Sequence, residues 1–206
     1  LVANTLNWQG IRTAAVYDEL KKIAPTIQTS IDTAKYAESF DANAKIIGQI
    51  FGKSAEVEAE LTAIHAASEQ LKGKAESAGK TLVILTTGGK ISAYGPGSRF
   101  GIIHDVLGFA PVDTTIEAST HGQSISNEFI LEKNPDILFV IDRDAVVSGE
   151  GGGVTAKDVV ENELVKQTNA YKNGKIVYLD PSYWYLSGGG LVSGAEMVKE
   201  AAAAVQ

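Results

Sequence analysis

The chain has 206 residues, 44% of them hydrophobic and 21% charged, with a formal net charge of −7 and no cysteine. That length allows one large domain or two small ones, and the composition is that of a globular protein. The missing cysteines exclude disulfides and thiolate metal sites. The acidic balance without a basic run argues against nucleic acid as a partner, and no apolar run is long enough to span a bilayer.

Residues 1 to 16 have no clean period and read as a strand remnant and a loop. Leu1 onward lacks the basic start, apolar core and cleavage site of a signal peptide, and because it does not begin with Met the sequence reads as a processed or truncated product. Tyr17–Ile23 is a predicted short helix, acidic first and basic last, stopped by Pro25. Thr26–Ile31 is a predicted strand. Ser39 or Asp41 is expected to cap a helix reaching Phe51, broken at Gly52. Ser54 is expected to cap a second helix closing at Gly79, with Val57, Leu61, Ile64 and Leu71 as its apolar stripe. Roughly 35 Å long, that helix has the dimensions to brace two lobes.

From Lys80 the pattern becomes α/β. TLVILTT is a buried strand, and KISAYG a second strand or extended turn. Arg99–Leu107 reads as a helix closed by Gly108, and Ala110–Val112 as a short strand. Ser126 to Lys133 is a short helix before the apolar strand PDILFVID. Gly149–Gly153 is a glycine loop, and Val154–Lys172 is expected to be helical. Lys175–Leu179 is a strand, YWYL a post-strand loop, and SGAEMVKEAAAAV the last helix. The alternation predicts a mostly parallel sheet with helices on both faces. The ligand then belongs at the carboxyl ends of the strands.

Several residues in those loops can carry chemistry. Arg99, after a Pro-Gly turn, reads either as a surface arginine or as an anion clamp. Arg143, between Asp142 and Asp144, reads either as a local ion pair or as a second clamp. Arg12 lies in the stretch without a period, where spacing favours no role. His121 is a turn histidine or a metal ligand. His104 reads as structural and His65 as solvated. Trp184 reads as packing or as an aromatic wall, and a phenolate of the Tyr183–Tyr185 cluster would suit ferric iron. GGK at 88–90 lacks the spacing of a phosphate loop. No GxSxG, HExxH or cysteine nucleophile supports a hydrolase.

PGSRFGIIHDVLG (96–108), THGQSISNEFILEKNPDILFVID (120–142) and LDPSYWYL (179–186) together resemble the catecholate-siderophore-binding proteins of ABC importers, of the ferric enterobactin/petrobactin type. The resemblance runs from about Tyr17 to the carboxyl terminus. It implies a binding protein rather than an enzyme, with two lobes joined by a rigid helix. On it, residues 1–38 are a remnant of the amino-terminal lobe, 39–79 the linker helices and 80–206 the carboxyl-terminal α/β lobe. It implies three arginines gripping an anionic iron complex, matched by Arg99, Arg143 and Arg12, the last with Gly10-Ile11 departing from the usual Gly-Arg spacing. It also implies His121 and Tyr185 on the iron when four catecholate oxygens leave two positions open. Trp184 would line the ligand.

The implied cargo is ferric iron as its siderophore complex, with no permanently bound cofactor. The implied partners are that siderophore and an inner-membrane ABC permease, not nucleic acid. The implied location is the periplasm or a membrane-anchored extracytoplasmic position. Only about forty residues precede the linker helices, against the full lobe of such proteins, so apolar area is left that favours a dimer through the truncated face. Alternatives are the same class with haem, cobalamin or a metal ion as ligand, a nucleotide-using α/β enzyme, or an interaction module that has lost ligand binding.

Overall fold

A computed structural model of the chain describes residues 2–5, 15–147 and 154–206. Strand β1 (Val2–Thr5) pairs in parallel with β2 (Ile27–Ser30), and helix α1 (Tyr17–Ile23) connects toward β2. Two long helices follow, α2 (Tyr36–Ile50) and α3 (Ser54–Ala75). The expected caps are displaced. Asp32 caps a 3₁₀ turn over Thr33–Lys35, and α2 starts directly behind it. Ser39 lies within the first turn of α2, and its hydroxyl bonds back to the carbonyls of Lys35 and Tyr36. Ser54 is the first residue of α3 rather than its cap, because the tight turn at Gly52, φ 64°, brings the chain straight into the helix. Helix α3 ends at Ala75, before Gly79. Its expected stripe of Val57, Leu61, Ile64 and Leu71 is buried, with Ser68 and Ala75 extending it.

The main sheet has six strands: β3 (Lys80–Thr87), β4 (Lys90–Tyr94), β5 (Ala110–Pro111), β6 (Gln123–Ile125), β7 (Ile137–Asp142) and β8 (Ile176–Leu179). Their order is β6-β4-β3-β7-β8, with β5 beside the start of β3. Pairings β3–β5, β3–β7 and β7–β8 are parallel, whereas β3–β4 and β4–β6 are antiparallel. The sheet is therefore mixed. Its antiparallel half begins at the GGK segment, where Gly88 and Gly89 have φ of 54° and 74°. Two central residues with positive φ suit the twist of a tight hairpin, so these glycines build a turn.

The apolar runs alternate between two cores, as the two-residue period of a strand requires. Val83 and Leu85 of β3, with Ile137, Phe139 and Ile141 of β7, face a core shared with Phe40, Leu61, Leu71, Phe100, Trp184 and Met197. Leu82, Ile84, Leu138 and Val140 face a second core with Ile130, Val160 and Val165. Both faces of the central strands are covered. The first face is closed by α2, α3 and the last helix, α9 (Leu191–Ala202).

On the second face lie α5 (Asn127–Lys133) and the segment expected to be one helix over 154–172. That segment is broken into α7 (Ala156–Val160), a 3₁₀ turn at Val165–Gln167 and α8 (Asn169–Lys172). Thr155 and Asp158 form a capping box on α7, the Asn162 side chain accepts from the amides of Leu164 and Val165, and Thr168 caps α8. Short polar side chains thus compete for backbone groups and restart the chain twice. The helix expected over Arg99–Leu107 shrinks to α4 (Ile102–Asp105). Asp105 reaches back to the amide of Gly97, closing residues 97–101 into turns. One short helix remains, α6 (Asp144–Val147), directly after Arg143.

Candidate functional site

A cavity of about 250 Å³ opens over the carboxyl end of β3, lined by Leu85, Thr87, Ser92, Tyr94, Arg99, Thr120, His121, Arg143 and Tyr185. Register explains its floor. Leu85 pairs with Ser92 and Val83 with Tyr94, so alternate residues of β3 and β4 share one face. The walls come from loops. Arg143 leaves β7 with its amide on the Thr86 carbonyl, one step beyond the β3–β7 pairing. The turn behind it is fixed by Asp142, which accepts from the amides of Asp144 and Ala145 and, across the glycine segment, from Ala156.

Tyr185 sits in a π-helical turn, Ser182–Leu186, after β8, and is 5% exposed. Its hydroxyl oxygen accepts from Arg143 Nε at 2.8 Å. Its carbonyl accepts from Arg99 Nη2 at 2.7 Å, and the Arg99 guanidinium lies 4.1 Å from the ring centre. The Arg143 guanidinium is 5.7 Å from the same centre. Two cations against one aromatic ring combine hydrogen bonding with attraction to the π face. Burial lowers the Arg99 pKa, with Tyr185 opposing that shift; a guanidinium stays protonated all the same.

His121 stands exposed at the rim, its amide donating to the Ser119 hydroxyl. Gly122 behind it has φ 72°, and a Cβ there would lie 2.7 Å from Tyr94 Cζ. The His-Gly pair is thus a turn pressed on the Tyr94 ring, and the absent side chain lets His121 reach the cavity.

Arg99, Arg143, His121 and Tyr185, singled out in sequence, come together here. Trp184 does not join them. It is 2% exposed, and its indole Nε1 donates to Glu200 Oε2 at 2.9 Å, pointing into the core rather than the cavity. The packing alternative describes Trp184, whereas its neighbour Tyr185, buried in the same core, also reaches the cavity. Arg12 and the glycine loop at 149–153 lie outside the described residues. His104 is structural as expected, its Nδ1 on the Phe109 carbonyl at 2.9 Å. His65, read as solvated, bonds Asp41 at 3.0 Å.

Tyr94, Thr87 and Ser92 were missed. Burial pushes the Tyr94 hydroxyl up to about 12, with Arg99 opposing, so it stays a neutral phenol near pH 7. Only the antiparallel β4 pairing brings Tyr94 and Ser92 to the site, and sequence left KISAYG open between a strand and an extended turn.

The family model described as periplasmic binding protein matches residues 1–183. This chain belongs to that family. The periplasmic binding proteins are binding proteins, not enzymes. Among its relatives is the petrobactin-binding protein YclQ of Bacillus subtilis (strain 168), 53% identical over 190 residues, covering 92% of this chain and 59% of that protein. The ferric-anguibactin-binding protein FatB of Vibrio anguillarum is 38% identical over 182 residues, covering 86% of this chain and 56% of FatB. The chain thus spans a little over half the length of these curated relatives.

The crystal structure of YclQ superposes with a TM-score of 0.90 at 48% identity, over 100% of this chain and 69% of that chain. The periplasmic catecholate-siderophore binding protein VctP from Vibrio cholerae gives 0.88 at 33% identity, over 98% of this chain and 70% of that one. The fold is thus the matching part of a periplasmic binding protein. Among the described residues no helix is long and apolar enough to cross a membrane.

Proposed function

We propose that this chain is the part of a siderophore-binding protein that holds ferric catecholate complexes for ABC-type iron import. The observation that carries the reading is one cavity gathering Arg99, Arg143, His121 and Tyr185. The chain is acidic overall, so an anionic ligand is held by cations concentrated locally. Guanidinium forks suit catecholate oxygens because they keep their charge and donate in pairs.

Fe(III) is a hard ion that prefers anionic oxygen, and four catecholate oxygens leave two positions for a phenolate and an imidazole. In this reading Tyr185 and His121 fill them. The phenol proton leaves on binding, and the phenolate keeps lone pairs for both the metal and Arg143 Nε. Arg12 completes the arginine set. The relatives named for petrobactin and catecholate siderophores support this ligand class. Among the described residues no group of three His, Cys, Asp or Glu stands ready for a bare ion, which favours a chelated cargo.

The rest of the assignment follows the same reading. Residues 1–38 belong to an amino-terminal lobe, 39–79 link the lobes and 80–206 form the carboxyl-terminal lobe. The protein works outside the cytoplasm and delivers its cargo to an inner-membrane permease. Ile46, Ile50 and Phe51, exposed around the end of α2, support contact with a further surface there, a second copy included.

Titration with ferric bis-catecholate and tris-catecholate complexes, followed by intrinsic fluorescence and the visible spectrum, tests the reading. Quenching at micromolar complex is expected, and silence with both overturns it. His121→Ala should weaken the bis-catecholate complex about tenfold or more while leaving the tris-catecholate complex, whose iron is saturated, nearly unchanged. Tyr185→Phe, which also frees Arg143 Nε, should weaken the bis-catecholate complex more than the tris-catecholate one. Equal loss with both complexes removes the iron-ligand role.

A further inference from the structure

A chain of polar contacts runs from Tyr185 and Arg143 along the cavity wall at Thr87 to Asp144 and Gly88. The Gly88 amide donates to Asp144 Oδ2. Asp144 Oδ1 accepts the Thr87 hydroxyl proton at 3.0 Å and lies 3.5 Å from Arg143 Nη1. Arg143 Nη1 donates to Thr87 Oγ1 at 3.1 Å, and Arg143 Nε donates to the Tyr185 hydroxyl at 2.8 Å. The direction of these bonds is fixed by chemistry. A hydroxyl has one proton, a carboxylate only accepts, and a guanidinium only donates. Thr87 therefore gives its proton to Asp144 and presents a lone pair to Arg143. Bonds to charged groups are shorter and stronger than neutral ones, so the order of the chain is set from its carboxylate end.

We propose that Thr87 and Asp144 are positioning residues of this binding site. They hold the Arg143 guanidinium so that Nε is committed to the Tyr185 oxygen and the remaining N–H groups are left for the anionic ligand. The inference rests on the siderophore-binding reading and adds two residues to it. Arginine has several rotatable bonds and loses much freedom when ordered. An arginine tethered at Nη1 and Nε has met that cost before the ligand arrives. Thr87 is the last residue of a central strand and Asp144 opens α6, so the tethers stand on the framework rather than on mobile side chains. The arrangement also joins the two ends of the site. Arg143 bears on ligand charge, and through Tyr185 it bears on the iron.

The test uses Thr87→Val, which removes the hydroxyl at nearly constant shape, Thr87→Ser, which restores it, and Asp144→Asn. Affinity for ferric bis-catecholate and tris-catecholate complexes is read by fluorescence. The Arg143 Nε–H proton is read by ¹H–¹⁵N spectroscopy without any ligand. Thr87→Val should weaken the bis-catecholate complex about tenfold and the tris-catecholate complex less, with recovery in Thr87→Ser. The protected Nε–H resonance should be lost in Thr87→Val and in Asp144→Asn and return in Thr87→Ser. Unchanged affinities together with an unchanged resonance overturn the positioning role, as does no recovery in Thr87→Ser. If the parent chain binds neither complex, the siderophore reading fails. The resonance then still decides whether Thr87 and Asp144 set Arg143.

Discussion

Tyr185 is the residue on which the proposed site turns. Its ring is held by Arg99, its hydroxyl by Arg143, and its own backbone by the turn after β8. Gly122 has a comparable part on the opposite rim. Both its positive φ and its contact with Tyr94 forbid a side chain. Gly122→Ala is expected to destabilise the protein by about 1–3 kcal/mol and to displace His121. A drop in melting temperature accompanied by weaker bis-catecholate binding is the expected outcome, and an unchanged melting temperature contradicts it. His121 and Gly122 were legible in sequence as a turn. That the turn rests on Tyr94 was not, because the contact depends on the β4–β6 register.

Among elements, α2 and α9 meet at a close approach. Gly194 of α9 takes the Phe40 ring of α2 against its backbone, and a Cβ there would lie 2.8 Å from Phe40 Cζ. Gly194→Ala should cost about 1–3 kcal/mol through overpacking, read as a lower denaturant midpoint with an unchanged slope. Glu200, also on α9, accepts from the Asp180 amide and from Trp184 and so anchors the turn bearing Tyr185. Burial raises its pKa above the usual carboxylate value. The element types of α2, α3, β3, β7 and α9 followed from periodicity and burial pattern. The helices expected over 99–107 and 154–172 did not survive, because Asp105, Asn162 and Thr168 bond to backbone groups and end each run.

At the scale of the whole molecule, stability should depend on pH through His104. It lies half-buried on α4, with its Nδ1 on the Phe109 carbonyl, and burial lowers its pKa despite opposition from that bond, the Tyr94 backbone and Asp105. The unfolded chain then takes the proton at a higher pH than the folded chain does. The contribution is present in full above about pH 6.5 and is lost as pH falls toward the lowered folded value. Between pH 7.5 and 5.5 the parent chain should lose more stability than His104→Gln does, measured by denaturant unfolding at each pH. Parallel curves for the two proteins refute the assignment.

Sequence by itself determined which strands are buried on both faces, where the long helices run and which family the loops resemble, because those features depend on local period and composition. It also marked Arg99, Arg143, His121 and Tyr185 one by one. Tertiary structure decided that the sheet is mixed, that Trp184 stays within the core while its buried neighbour Tyr185 also lines the cavity, and that Thr87 and Asp144 hold Arg143. The bonds of Arg99 and Arg143 to Tyr185, and of Thr87 to Arg143 and Asp144, join residues 42 to 86 positions apart in the chain. They exist only once strand register has set the neighbours, and a period of two residues fixes which face a side chain takes but not which strand lies beside it.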